Sequence, residues 1–315
     1  MSARVALVLK RTTYRKFVLD DHDPRLAKLV AKRDPTVRKL KQSHDAHEES
    51  VREVEEALDE LGATIAYRGG TKGKIPPRID LVVTVGGDGT LLNASHQIGS
   101  RVPLLGINSS PEHSIGFFCG GTKGRAKKAL RGALDGTTKR VELTRMRVDK
   151  NGKLLHARVL NEALFCHASP AATSRYLVGL SGAALPPREP EDHRSSGVWI
   201  GPAAGSTAAQ RSAGGNVLPI ESSDLQYVVR EPYMPAGTVF RHVVGRVRPD
   251  ERFTVRSKMR EAKLFLDGHA REYDVTIGDV LVFRRSEQTL TVVGLDKAAR
   301  RRWEAAVRLA RRPSR

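Results

Sequence analysis

A carboxylate sits inside a glycine loop: Gly86-Gly87-Asp88-Gly89-Thr90 follows the apolar run Leu81-Val82-Val83-Thr84-Val85. Glycines at the end of a buried strand let the backbone approach a ligand closely, and their N–H groups can face phosphate oxygens. Thr90 can open the next helix, whose N-terminus favours anions. Asp88 does not suit a simple phosphate cradle. Its charge repels phosphate unless it holds a metal ion or orients a hydroxyl. The combination points to phosphoryl transfer. The plainer reading is a strand-ending turn with a solvated aspartate, and the loop alone does not separate the two. No Gly-x-x-x-x-Gly-Lys-Ser/Thr pattern occurs, so the cradle is not of the P-loop type.

Three further blocks carry residues of interest: Leu105-Gly106-Ile107-Asn108 with Ile115-Gly116-Phe117-Phe118, then Leu160-Asn161-Glu162, then the small-residue stretch from Ser195 to Gly215. Each has a bland explanation. Glycines mark turns, Phe117 and Phe118 fill a core, Asn161-Glu162 ends a strand, and small residues pack a short helix.

The elements that position these blocks alternate at first. Strands are expected at Val5–Leu9, Thr64–Tyr67, Leu81–Val85 and Val102–Ile107. Helices are expected at His47–Leu61, with Val51, Val54, Leu58 and Leu61 as its stripe and Gly62 as C-cap, at Thr90–Gln97, and at Lys123–Leu134 capped by Thr122. Alternation of this kind implies a doubly wound parallel sheet, whose ligands sit at the carboxyl ends of strands, where Lys10, the glycine loop and Asn108 fall. From Val141 strand-like runs succeed one another: Val141–Val148, Leu154–Phe165, Tyr176–Leu180, Gln226–Arg230, Thr238–Val244, Phe253–Arg256, Lys263–Leu266, Val280–Phe283 and Leu290–Val293. Asp149-Lys150-Asn151-Gly152 is a hairpin signal, and Leu185–Arg194 reads as a Pro-rich charged loop. The fold class is therefore α/β plus all-β: a doubly wound parallel-sheet domain (1–142), a β-sandwich-like domain (143–296) and a basic terminal helix or tail (297–315). That last segment is arginine-rich, and a stripe of Trp303, Val307 and Ala310 packs it back on the body. There is no internal repeat or low-complexity segment.

The 315 residues, 39% hydrophobic with a mean hydropathy of −0.38, suit a water-soluble protein with a sizeable core. No apolar run is long enough to span a membrane, and the N-terminus lacks a signal-peptide layout. Cys119 and Cys166 have no metal-ligand spacing and read as free thiols in a cytoplasmic protein. The net charge of +19 favours anionic partners, nucleotides above nucleic acid.

Taken together and in order, the four blocks resemble the NAD kinase family from Val5 to about Leu295. The glycine loop by itself is shared with lipid kinases. The loop with Asn161-Glu162, Gly205-Ser206-Thr207-Ala208 and Ser212-Ala213-Gly214-Gly215 is far more specific. Two positions depart from the commoner pattern: Ser196-Gly197 stands where an Asp-Gly pair is usual, and Ala209 where tyrosine is usual. Arg194–Gly197, Ala203–Ala209, Ser169-Pro170-Ala171-Ala172 and Val229-Arg230-Glu231-Pro232 resemble the plant-type NADH kinases instead.

The resemblance implies transfer of the terminal phosphate of ATP, carried with Mg2+ or another divalent cation, to the adenosine ribose 2′-hydroxyl of NADH or NAD+. By position, it makes Asp88 the base or orienter. It assigns Gly86, Gly87, Gly89, Thr90, Lys10 and Arg11 to phosphates. For NAD(H) it implies Phe117, Asn161 at the base, Glu162 at the ribose, Thr207 at the adenine edge, Ala208 beside the nicotinamide half, Ser196, Ser212 and Asp267. No resident metal ligand is implied. A homodimer or higher homo-oligomer is. Ser196 in place of a carboxylate removes an electrostatic bias towards the oxidised, cationic ring, worth a few kcal/mol at most at an effective dielectric of about 20. A lipid kinase and a non-catalytic nucleotide-binding protein are the alternatives.

Overall fold

The computed structural model describes residues 2–235, 237 and 239–295. The first strand, β1 (Arg4–Leu9), is fully buried from Val5 to Val8, which is why it reads as a continuous apolar run rather than an alternating one. It lies between β2 (Thr64–Gly70) and β3 (Leu81–Gly86). Beyond β3 comes β4 (Leu104–Asn108), with the short β5 (Gly121–Thr122) added to it, every one of these pairings parallel. The strand Leu290–Val293 and β6 (Arg140–Leu143) complete the sheet. The chain leaves β1 for β2 and returns to β3 on the other side, so the order reverses between β1 and β3. Such a reversal opens a crevice at the strand ends, and Lys10 and Gly86 flank it.

Among the described residues the α-helices of this first unit are α1 (Pro24–Ala31), α2 (Leu40–Glu60), α3 (Asp88–Ser95) and α4 (Ala126–Leu134). On α2, Val51, Val54, Ala57 and Leu58 pack with Val5, Leu7, Val83 and Val85 in one cluster. Gly62 follows the helix at φ 67°.

The second unit comprises β7 (Met146–Lys150), β8 (Lys153–Val159), β9 (Ala163–His167), β10 (Ser174–Ser181), β11 (Glu191–Ser195), β12 (Val198–Pro202), the short helix α5 (Ala209–Ser212), β13 (Leu225–Val229), β14 (Val244–Val247), β15 (Arg252–Ser257), β16 (Ala262–Leu266), β17 (Glu272–Val275) and β18 (Val280–Arg285). They form two six-stranded sheets, β11-β10-β15-β18-β7-β8 and β14-β13-β12-β9-β16-β17. Alternate residues of both sheets, among them Val148, Tyr176, Val255 and Phe283 from one and Phe165, Ile200, Tyr227 and Leu264 from the other, share one core. The β7–β8 hairpin turns through Asn151 and Gly152 at φ 52° and 77°, the left-handed pair that suits the twist of the strands.

Several boundaries differ from the sequence reading, each for a physical reason. The strand Leu290–Val293 joins the parallel sheet of the first unit instead of ending the β domain. Its leucine and valines are buried on both faces, and Val292 pairs with Leu104. The first unit is thus discontinuous, Met1–Val141 with the chain from Thr291 onward, and the second is Glu142–Leu290. The helix α2 begins well before His47, because its buried face continues through His44 and His47, which do not look apolar. α3 starts at Asp88 with Gly87 as N-cap, so Thr90 lies inside its first turn. α4 starts at Ala126, and Thr122 does not cap it. The Glu53 carboxylate accepts the N–H groups of Gly124 and Ala126 at 2.7 and 2.8 Å instead. The end of the expected Leu185–Arg194 loop is strand β11, with His193 and Ser195 turned inward. Of the expected Thr238–Val244 strand, the described residues 239–243 form none and only Val244 is in a strand, because the N–H groups of Arg241 and His242 donate to the Glu191 carboxylate and not to a ladder. The expected Trp303 helix lies outside the described residues. No helix among the described residues is long and apolar enough to cross a membrane.

Candidate active site

In the first unit, β3 empties into Gly86 and Gly87, and α3 begins at Asp88. A carboxylate in a first helical turn is stabilised by the helix dipole. Asp88 does more than this. Its two oxygens accept the N–H groups of Phe117 and Phe118 at 2.9 and 2.8 Å. The aspartate therefore holds the Gly116–Phe118 turn, and each oxygen still has a lone pair for a further donor. Gly116 is at φ 61°, and a Cβ there would lie 2.4 Å from Asn108 Nδ2. Asn108 ends β4 and fixes the preceding loop, donating to the Ser114 carbonyl at 2.9 Å and accepting from Ser110 N–H at 3.2 Å. Phe117 and Phe118 meet edge to face at 5.2 Å, Phe118 buried and Phe117 half-buried.

Gly89 is exposed with open space around it, whereas Thr90 is buried, its hydroxyl 2.2 Å from where a Gly86 Cβ would stand. Lys10 closes the other side of the crevice. Its N–H donates to Val85 O at 3.0 Å, and its half-buried ammonium, depressed by desolvation, has no carboxylate partner among the described residues. Arg11 is exposed and paired with Asp20 and Asp21 at 3.0 and 3.6 Å. A cavity of about 290 Å³ brings Lys10, Arg11, Arg15, His47 and Arg68 together. His47 was not singled out by the sequence. It is buried, its Nδ1 lies 3.1 Å from Ser109 Oγ, and burial pulls its pKa down to about 4. It is thus a neutral post between strand ends.

In the second unit, Asp267 follows β16 at φ 50°. Its carboxylate accepts three amides, those of Leu160, Asn161 and Glu162, at 2.8, 2.6 and 3.1 Å, and its own N–H donates to Glu162 O at 2.9 Å. The turn between β8 and β9 is locked around it. The locked turn presents two buried oxygens, Asn161 Oδ1 and Glu162 Oε2, that have no hydrogen-bond partner among the described residues. Burial, and secondarily the Asp267 charge, push the Glu162 carboxyl up to about 8.

The small-residue stretch packs against this turn. A Cβ on Gly205 or Gly201 would sit 1.8 or 2.2 Å from the Asn161 carbonyl oxygen, so both positions need glycine. Gln210, fully buried, donates to that same oxygen at 3.3 Å and is held in turn by Gln226 at 3.1 Å. Thr207 and Ala208 are half-buried at the end of the single turn Ala203–Thr207, immediately beyond Gly205. Ser212 is exposed and lines a different cleft. Ser196 lies half-buried between β11 and β12, its N–H donating to Arg230 O at 3.0 Å. Asn161, Glu162 and Asp267 thus form one contact group, Gly86–Thr90 with Phe117 and Lys10 another, and Arg11 shares the Lys10 cavity while paired with its own acids. Gln210 and Gln226 were missed, although a glutamine inside the fully buried strand β13 was a usable signal.

Residues 3–137 match the model of the ATP-NAD kinase N-terminal domain. A probable NADH kinase of Oryza sativa subsp. japonica is 35% identical over 230 residues, covering 68% of this chain and 71% of that protein. The chain belongs to the NAD kinase family. Its fold agrees with solved structures of other members. A yeast NADH kinase complexed with NADH superposes with a TM-score of 0.68 at 16% identity, covering 94% of this chain and 84% of that one. An NAD kinase from Archaeoglobus fulgidus in complex with ATP gives 0.65 at 19% identity, covering 96% and 97%. Membership sets the lipid-kinase alternative aside.

Proposed function

We propose that this chain transfers the terminal phosphate of ATP to the adenosine ribose 2′-hydroxyl of NADH and NAD+, giving NADPH and NADP+. The observation that carries the proposal is the Asp267-held turn, which presents Asn161 Oδ1 and Glu162 Oε2 as buried acceptors lacking donors. Buried polar atoms are costly unless paired, and the hydroxyls of a ribose with an amino-bearing base supply donors of the right kind. Asn161 takes the base, Glu162 the ribose, and Thr207 the adenine edge. Phe117 lines the acceptor site, Ala208 and Ser196 lie by the nicotinamide half, and Ser212 borders it.

Phosphoryl transfer needs positioning and charge neutralisation rather than covalent chemistry. The 2′-oxygen forms its bond to the terminal phosphorus, the bond from that phosphorus to the bridging oxygen breaks, and ADP leaves with the electron pair. The hydroxyl proton passes to Asp88, whose oxygens are already oriented by two amides. Gly86, Gly87 and Gly89 are the phosphate cradle, closed by Thr90, whose own N–H is given to Gly87 O at 3.0 Å, with Lys10, which has no carboxylate partner among the described residues, as its cation and Arg11 secondary to it.

No group of three or more His, Cys, Asp or Glu among the described residues is placed to hold a metal ion. Mg2+ carried in on the ATP phosphates would neutralise charge on the transferred group, with waters and one or two carboxylates completing its shell. The free thiols Cys119 and Cys166 suit a reducing, cytoplasmic setting. A homodimer or higher homo-oligomer, expected by likeness to the family, is measured by sedimentation. The deciding experiment is a turnover assay crossing NAD+ and NADH with ATP and polyphosphate. Absence of NADP(H) in all four combinations, from folded protein, would overturn the proposal.

A further inference from the structure

The second unit has another cleft, of about 530 Å³, lined by Trp199, Ala209, Ser212, Ala213, Arg230 and Glu231. Four of these residues, Trp199, Ala209, Ser212 and Ala213, come from the Ser195–Gly215 stretch, and a fifth, Arg230, is bonded to Ser196. Arg230 is half-buried and fixed. Its guanidinium lies over the Trp199 ring, 5.8 Å from the centroid, and donates to Ser196 O at 3.3 Å. Its backbone is tied to the same segment, with Arg230 N–H donating to Gly197 O at 2.8 Å and Ser196 N–H to Arg230 O at 3.0 Å. No ion-pair partner of Arg230 is present among the described residues. Its field reaches the half-buried Cys166 thiol, which burial pushes up and Arg230 pulls the other way. The carboxylate of the cleft among the described residues, Glu231, is exposed at φ 46°, where water screens its charge.

We infer that Arg230 sets the preference between the two acceptor forms, disfavouring the oxidised, cationic nicotinamide and leaving the neutral, reduced ring unpenalised. This rests on the proposed function, which puts Ser196 and Ala208 beside the nicotinamide half. The commoner family pattern has a carboxylate where Ser196 stands. This chain lacks that anion and holds a fixed cation against the same backbone. The sign of the local charge is therefore reversed, and only one of the two ring forms carries a charge to feel it. The Trp199 face serves both to hold the guanidinium and to keep one side of it away from water.

The test compares kcat/KM, and equilibrium binding by titration calorimetry, for NADH and NAD+ in the wild type, Arg230→Gln, Arg230→Lys and Glu231→Gln. Arg230→Gln should shift the ratio towards NAD+ by about 3- to 10-fold, through a gain with NAD+ rather than a loss with NADH. Arg230→Lys, which keeps the charge, should retain the wild-type ratio. Glu231→Gln should move it towards NADH, and by less. An unchanged ratio in Arg230→Gln, an Arg230→Lys protein that behaves like Arg230→Gln, or a larger shift from Glu231→Gln would each overturn the inference while leaving the kinase reading intact. A wild type that neither binds nor phosphorylates either dinucleotide would sink both.

Discussion

Asp88 and Asp267 do the same structural work in two unrelated settings. Each is an aspartate whose carboxylate gathers backbone N–H groups from a turn distant in sequence, two for Asp88 and three for Asp267. Charge-assisted bonds of this kind are stronger than neutral ones, so each turn is held firmly. The difference lies in what the turn then offers. The Asp88 turn carries two phenylalanines, and in the proposed reaction the carboxylate itself takes the proton. The Asp267 turn carries Asn161 and Glu162, and the carboxylate acts through them, fixing their position and raising the Glu162 pKa. In the proposed function one aspartate does chemistry with its own oxygens, and the other prepares its neighbours.

The largest effect should come from taking the charge from the first. Asp88→Asn should lower kcat by about 10²–10⁴-fold, the usual range for a lost general base. It should also cost stability, because the amide nitrogen faces one of the two N–H donors, a loss of about 1–3 kcal/mol. Binding of NADH, read by calorimetry, separates the two effects. Turnover near wild type would break the comparison by making Asp88 a holder of the turn and nothing more.

Asp267→Asn should show the opposite balance. Three amides lose a charged acceptor, so the thermal transition of the second unit should fall by more than in Asp88→Asn, by about 2–4 kcal/mol in unfolding free energy. Activity should drop chiefly through KM for the dinucleotide. An equal or larger loss of kcat with KM unchanged would make Asp267 a participant in the chemistry and erase the contrast.

Much of the first unit was legible because its strands are buried on both faces and its glycine loop follows one of them directly. The second unit's turns were harder. Asp267 is a single aspartate after a strand, and nothing local says that its partners are Leu160 to Glu162. The glycines at Gly201 and Gly205 read as turn residues, yet they are demanded by the approach of one carbonyl oxygen. Leu290–Val293 was readable as a strand but not as a member of the parallel sheet, because pairing across the whole of the second unit leaves no local trace. The buried faces carrying His44, His47, Gln210 and Gln226 break the apolar periodicity on which element boundaries depend. A direct check is Gly205→Ala. Its Cβ would lie 1.8 Å from Asn161 O, so the β8–β9 turn must shift, at about 1–3 kcal/mol. Gly89→Ala, with open space around it, should cost well under half of that by thermal denaturation.

The smallest effect to seek is a pH dependence of stability that belongs to one turn and not the other. Glu162 is raised from 4.5 to about 8, first by burial and then by Asp267. In the unfolded chain it ionises near the ordinary value. Between those two values the folded state therefore binds the extra proton, and stability falls as pH rises. The contribution is complete below about pH 4.5 and is lost as pH passes 8. Glu162→Gln removes this slope, so the wild type minus variant difference in Tm should shrink from pH 5 to pH 8. In Asp267→Asn the Glu162 pKa loses one of its two causes, and the same slope should shift to lower pH. A bound dinucleotide that donates to Glu162 Oε2 stabilises the ionised carboxylate, and should flatten the slope in the wild type. If the Tm difference between wild type and Glu162→Gln is independent of pH, Glu162 is not the buried acid of this turn. The second aspartate would then hold backbone alone and prepare no neighbour.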